Sequence, residues 1–311
     1  MSEAAAPSPN LVGIGAVFID DIVRADGTTH MEQLGGGVVH ALMGAALWDE
    51  CPGIVAVIGD GLPDSARTLL DTNLDTRGLY PLGIPQMRAW QLFEHDGQRR
   101  ELYRVKITEP FTTGAQPSHF PAAYEGSKAY YLLQGFDEIR TWREKLKGLV
   151  LWEPLQQIMM PDADNRAAFR AVLRDCAIDI VSPNLIEAQA IYGDDLSPDD
   201  LLSALLDDGA HIAALRMGPV GSLIARRDTG ERCSISVVDI AQMIDQTGAG
   251  NTYCGALLVG LMRGEKLQNA AVMGAVAASF CLEHIGVLNP TGVDKAERDK
   301  RYRKLIRFEG R

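Results

Sequence analysis

The chain has no Cys-x-x-Cys pair: Cys51, Cys176, Cys233, Cys254 and Cys281 stand apart and are odd in number. That excludes a zinc knuckle and a disulfide framework and points to reduced thiols in a cytoplasmic protein. No apolar run is long enough to span a bilayer, so no membrane partner is expected. Met1 to Asn10 lack the basic and long apolar regions of a signal peptide. They are rich in Ala, Pro and Ser and read as a disordered tail. Basic residues are in deficit too. The net charge of −11 argues against a nucleic-acid partner but permits a local basic pocket for phosphate. There is no internal repeat. A length of 311 residues accommodates one large α/β domain, residues 11–311, with a small appendage.

What is present centres on Asp245-Gln246-Thr247-Gly248-Ala249-Gly250-Asn251-Thr252-Tyr253, followed by the apolar, small-residue stretch Cys254 to Leu261. The first part reads as a tight glycine loop and the second as a buried helix against which neighbours pack closely. Gly248, Ala249 and Gly250 then lie at the helix N-terminus. The first N–H groups of a helix lack internal partners, and the dipole adds positive charge there, so the loop suits an anion such as phosphate. Cys254 beside it reads as a small buried helix residue.

Around this loop the chain alternates strands and helices. Leu11 to Ile19 reads as one central strand ending at Asp20-Asp21, and strand ends are where open α/β sheets collect ligands. Gly13-x-Gly15 lacks the third glycine of a dinucleotide-binding turn. Gly35-Gly36-Gly37 opens a helix from Val38 to Trp48 that contains His40, a core histidine or a site residue. Ile54 to Gly59 is a strand and Pro63 to Leu74 a helix. Arg88 to Glu94 and Arg99 to Lys106 alternate, with a hairpin signal at Asp96-Gly97. From Ala129 the order is strand (129–133), helix (137–147), strand (149–152, then Glu153-Pro154), helix (164–175, capped by Asp164) and strand (178–181). This alternation implies βαβ units and a parallel sheet. Asn184 and Glu187 open a helix in the manner of a capping box. His211 to Met217 and Ser222 to Arg226 flank a turn with Gly218 and Gly221, and Cys233 to Val238 is an edge strand. Arg216 is a phosphate contact or an exposed charge. A small-residue helix from Ala270 and a basic helix from Ala296 to Phe308 close the chain.

The central loop resembles the second signature of the ribokinase-like (PfkB-type) sugar and nucleoside kinases, Asp-Thr-x-Gly-Ala-Gly-Asp. The match covers Asp245, Thr247, Gly248, Ala249 and Gly250. Gln246 replaces a usual Thr, and Asn251 stands where the family has its catalytic base. The resemblance implies a ribokinase-like α/β fold, a mostly parallel sheet flanked by helices. It implies a small β lid around 78–108, to which 22–34 also contributes strands, and pairing of lids in a homodimer. The implied reaction moves the γ-phosphoryl group of ATP, with Mg2+, to a hydroxyl of a small sugar, polyol or nucleoside. Asp20, Gly35, Gly36 and His40 fall at acceptor positions, His40 in place of an Asn. Asn184, Glu187, Gly218, Gly221 and Thr247 fall on the nucleotide side, with Glu187 reaching the metal through water. Gly248, Ala249, Gly250, Asn251 and Asp245 form the catalytic loop.

Asn has no basic lone pair at neutral pH. It orients a hydroxyl but does not take its proton, a service worth roughly 10²–10⁴-fold. Either the base has moved, with Asp20, Asp21, His40 and Asp245 as candidates, or the chain is a silent nucleotide- or sugar-phosphate-binding protein. Turnover separates the two. Divergence at His40, and the Glu153-Pro154-Leu155 run in place of Asp-Pro-Asn, point to a natural branch rather than one engineered change.

Overall fold

The computed structural model describes residues 7–95 and 99–309. The chain opens with β1 (Leu11–Ala16), β2 (Phe18–Val23), β3 (Thr29–Gly35) and α1 (Gly37–Ala46). Next come β4 (Gly53–Asp60), α2 (Asp64–Asn73), β5 (Asp75–Pro85), β6 (Arg88–Phe93), β7 (Arg99–Tyr103) and the short α3 (Glu109–Thr113). The middle carries β8 (Ala129–Gln134), α4 (Phe136–Lys145), β9 (Leu149–Pro154), α5 (Ala163–Asp175) and β10 (Ile180–Val181). Then follow α6 (Leu185–Tyr192), α7 (Pro198–Asp207), β11 (Ile212–Arg216), β12 (Ser222–Arg226) and β13 (Arg232–Ile235). Three helices end the chain: α8 (Ala249–Met262), α9 (Leu267–Leu282) and α10 (Lys295–Glu309).

Among the described residues, nine strands form one sheet in the order β13-β12-β11-β10-β9-β8-β1-β4-β5. From β5 to β11 all neighbours are parallel; β12 and β13 add an antiparallel edge. Alternate strand residues serve opposite faces. Leu11 joins the core under α1, α8 and α9, whereas Val12 and Ile14 join the core under α4 to α7. A second sheet of four strands, β3-β2-β6-β7, forms the lid.

Several expectations change. Leu11 to Ile19 is not one strand: the chain leaves the large sheet at Val17, and Asp20 and Asp21 lie inside lid strand β2. Apolar pattern cannot show this break, because the switch is set by partners far away in sequence, β4 and β8 for β1, and β3 and β6 for β2. The lid takes 18–35 and 88–103, while 75–85 belongs to the large sheet. Asp162, not Asp164, caps α5, accepting from the Asn165 N–H at 2.9 Å. The expected turn at Asp96-Gly97 lies outside the described residues, as do residues 1–6 of the expected tail. Nearby, the Pro9 carbonyl accepts from Ser127 Oγ at 2.7 Å.

Helices α1 and α8 cross at a seam of glycine. A methyl placed on Gly255 would lie 1.7 Å from the Ala41 carbonyl oxygen, and one on Gly44 2.2 Å from that of Thr252. No side chain fits between them. The seam brings the starts of the two helices side by side, and the site is built there.

Candidate active site

Gly248 caps α8 in the left-handed conformation, φ 73°, which favours glycine. A methyl there would also strike His40 Nδ1 at 2.0 Å, so His40, buried in α1, forms the floor of the loop. Asp245 shapes the loop from behind. Its Oδ1 accepts from the Thr247 N–H at 2.9 Å, and its Oδ2 accepts from the Gly286 N–H at 3.2 Å. This carboxylate braces the backbone with both of its oxygens. Thr247 Oγ1 is buried without a hydrogen-bond partner among the described residues.

Beneath Gly250 sits Arg216, whose Nη1 would lie 2.0 Å from a methyl on that glycine. Arg216 is neither exposed nor free: its Nη1 pairs with Glu153 Oε1 at 2.8 Å, and its Nη2 reaches Glu187 Oε2 at 3.7 Å. Nη2 also donates to the Ser182 carbonyl at 2.8 Å. Burial opposes the charge on Arg216, but Glu153 and Glu187 outweigh it and hold the guanidinium protonated. Glu187 and Asn184 form the capping box read from sequence, each side chain accepting from the other's backbone N–H at 2.8 and 2.9 Å. Burial pushes the Glu187 carboxyl above its ordinary range, against the pull of Arg216 and the Asn184 N–H. Cys254 is fully buried, and burial raises its thiol far above the usual value, so it is inert.

A cavity of about 600 Å³ opens beside α8. Asn184, Arg216, Gly218 and Gly250 line its polar part, and Val238 and Ala275 are among its apolar residues. Gly221 also borders it. Of the residues expected on the nucleotide side, Asn184, Gly218 and Gly221 therefore converge on it, whereas Glu187 and Thr247 do not line it. Among the described residues, no group of three or more His, Cys, Asp or Glu side chains is arranged to hold a metal.

Of the residues expected on the acceptor side, Asp20, Gly35 and Gly36 gather at the junction of lid and core, while His40 lies under Gly248. Asp20 is buried, accepts from Gln91 Nε2 at 3.0 Å, and would meet a methyl on Gly35 at 2.1 Å. Gly36 crosses the Ala16 carbonyl, and Gly37 lies beside Asn251. Gln91 Oε1 and Gln134 Nε2 are buried with no hydrogen-bond partner among the described residues. Asp21 is different. Arg88 grips it with two nitrogens, Arg104 binds it, and the Glu32 N–H donates to it at 2.9 Å. Both oxygens of this carboxylate are taken up inside the lid.

Asn251 Nδ2 donates to the Tyr131 hydroxyl at 3.2 Å, which donates to Glu153 Oε2 at 2.6 Å. Sequence reasoning missed Tyr131, because a tyrosine in the apolar run Ala129 to Leu133 reads as core. The signal lies in strand pairing: β8 and β9 are neighbours, which brings Glu153 within reach of Tyr131.

Residues 155–293 match the pfkB family carbohydrate kinases. Over most of its length the chain is also similar to an uncharacterised protein of Schizosaccharomyces pombe, 25% identical across 96% of this chain and 92% of that one. It is 24% identical to a cytidine kinase of Thermococcus kodakarensis, covering 89% of this chain and 97% of the relative. The ribokinase of Arabidopsis thaliana, solved with ribose and ATP, superposes with a TM-score of 0.71 over 95% of this chain and 99% of that chain at 18% identity. The segment 155–293 is thus of the PfkB carbohydrate-kinase type, and the fold as a whole is ribokinase-like.

Proposed function

We propose that the chain transfers the γ-phosphoryl group of ATP to a hydroxyl of a small sugar, polyol or nucleoside. The observation that carries this reading is the cavity of about 600 Å³ that runs up to the N-terminus of α8. Its apolar part suits an adenine, and its polar part ends at the glycine loop, at the start of α8, where the first turn of a helix leaves N–H groups without a partner inside the helix. The loop amides stabilise the charge of the transferring phosphoryl group. Mg2+ would come with the phosphates rather than to a protein cage and would neutralise their charge; Glu187, behind the cavity, would hold it only through water. Asp20, Gln91 and Gln134 are the polar groups from which an acceptor takes its hydrogen bonds.

In the transfer, the acceptor oxygen bonds to the γ-phosphorus as the bridging P–O bond breaks and ADP leaves. The hydroxyl proton passes to a phosphoryl oxygen. Such transition states are loose and ask little of a base, so positioning and electrostatics carry most of the rate. Asn251 also supports a second reading, a silent nucleotide-binding protein. The test is ADP release from Mg·ATP in the presence of ribose, cytidine, adenosine and inositol. Acceptor-dependent ADP release supports the kinase; ATP binding without turnover on any acceptor supports the second reading. A cytoplasmic setting fits cysteines that form no disulfide among the described residues, and no described helix is long and apolar enough to cross a membrane. Pairing through the lid fits its exposed Leu102 and Tyr103.

A further inference from the structure

Asn251 is the end of a row of hydrogen bonds whose direction is forced. Glu153 Oε1 is paired with Arg216 Nη1 at 2.8 Å, and its other oxygen is an acceptor. Tyr131 has one proton and gives it to that oxygen at 2.6 Å. Its own oxygen is then left only as an acceptor, and it meets Asn251 at 3.2 Å. Burial, reinforced by Glu153, lifts the Tyr131 phenol well above the usual tyrosine range, so it keeps its proton. The two ends of an asparagine amide differ only in their hydrogen bonds. The carboxylate of Glu153, two bonds away, decides that the amide nitrogen faces Tyr131.

We propose that Tyr131 and Glu153 are positioning residues: they turn the Asn251 carbonyl oxygen toward the acceptor hydroxyl, and while both are present they exclude an aspartate at position 251. The part concerning the acceptor rests on the kinase reading; the part concerning position 251 does not. With the amide oxygen presented, the acceptor hydroxyl donates to Asn251 and aims its lone pair at the γ-phosphorus. An aspartate has no proton for Tyr131. The one phenolic proton would be contested by two carboxylates, and the loser would face a bare lone pair in a buried site. Replacing Glu153 by Gln reverses the row. The Gln amide donates to Tyr131, and the tyrosine proton turns toward residue 251.

The test is a double-mutant cycle on the full chain, read by thermal melting. Asn251→Asp alone is expected to lower Tm by about 2–8 °C. Adding Glu153→Gln should recover most of that loss. Equal cost of Asn251→Asp in both backgrounds overturns the proposal. Arg216 keeps Glu187 and the Ser182 carbonyl when Glu153 is neutral. Should Glu153→Gln not fold, Tyr131→Phe takes its place. Without the phenol, Asn251→Asp should cost clearly less than in the native chain, and an unchanged cost overturns the proposal.

The kinetic arm uses Mg·ATP with ribose, cytidine and adenosine. Tyr131→Phe should raise the acceptor KM by about tenfold and leave the ATP KM in place. An unchanged acceptor KM, or equal rises in both, overturns the positioning role. Absence of turnover in every form rejects the kinase reading alone, since the melting cycle still decides whether Asn251, Tyr131 and Glu153 are coupled.

Discussion

Two buried carboxylates in this chain meet arginines to different ends. Asp21 in the lid is enclosed by Arg88, Arg104 and a backbone N–H, with both oxygens held. Glu153 under the glycine loop gives one oxygen to Arg216 and the other to Tyr131, and through Tyr131 it reaches Asn251. The first closes on itself and ties β2, β3 and β6 to Arg104, just past β7. The second runs on to Asn251, in the first turn of α8. A buried ion pair is weak evidence for function in itself; what distinguishes the site is the acceptor oxygen left over for a further link.

The comparison is broken most forcefully at Gly250. A valine there collides with Arg216, which Glu153 pins in place, and it covers the loop amides. Calorimetry should show Mg·ATP affinity falling by more than about 100-fold, with the lid intact by hydrogen exchange. Full retention of ATP binding would remove the loop from the nucleotide site. The lid counterpart is Asp21→Ala, which strands two arginines. It should destabilise the fold by about 3 kcal/mol in urea titration. ATP affinity should stay within about twofold, and a large loss would mean that the lid cluster also serves the nucleotide.

Asp20→Ala sharpens the contrast between neighbours in one strand. It should weaken acceptor binding by about tenfold or more and barely touch ATP. Equal loss of both would make Asp20 as structural as Asp21. The smallest effect is in pH. Burial pushes Asp21 up, yet Arg88, the Glu32 N–H and Arg104 bring its folded pKa below the ordinary 3.8. Its stabilisation is complete above 3.8 and is lost as pH falls through the lowered value. Glu187 is shifted the other way, above the ordinary 4.5, chiefly by burial. It favours the fold below pH 4.5 and loses that contribution as pH rises through the raised value. Glu187→Gln should therefore flatten the stability profile just above pH 4.5, and Asp21→Asn should flatten it below 3.8. Profiles identical to the native chain would show that neither group sets acid stability.

Legibility in the sequence followed the range of the interactions. Gly248 to Asn251, the capping box of Asn184 and Glu187, and the small-residue helix were readable because each is fixed by neighbours a few residues away. The strand–helix alternation was readable for the same reason. The break at Val17, the place of Asp20 and Asp21 in the lid, and β5 in the large sheet were not, because they depend on which distant strand offers a partner. The pairing of Arg216 with Glu153 spans α5, α6 and α7 and carries no local mark. Tyr131 was hidden most completely, since nothing in an apolar strand tells a filling tyrosine from a connecting one.

The glycine seam between α1 and α8 has a bearing on how such a chain changes over time. Contacts between side chains are elastic, since rotamers yield. At Gly44 and Gly255 the contact is main chain on main chain, and helical backbone does not yield. The seam works as a gauge block: it sets the gap between the α1 start and the α8 start, the two ends at which the proposed acceptor and phosphate sites lie. Loops and lid are free to drift toward new acceptors while that gap stays calibrated. One methyl group at Gly255 would reset it and, in the proposed transfer, lengthen the path of the phosphoryl group whichever acceptor is bound.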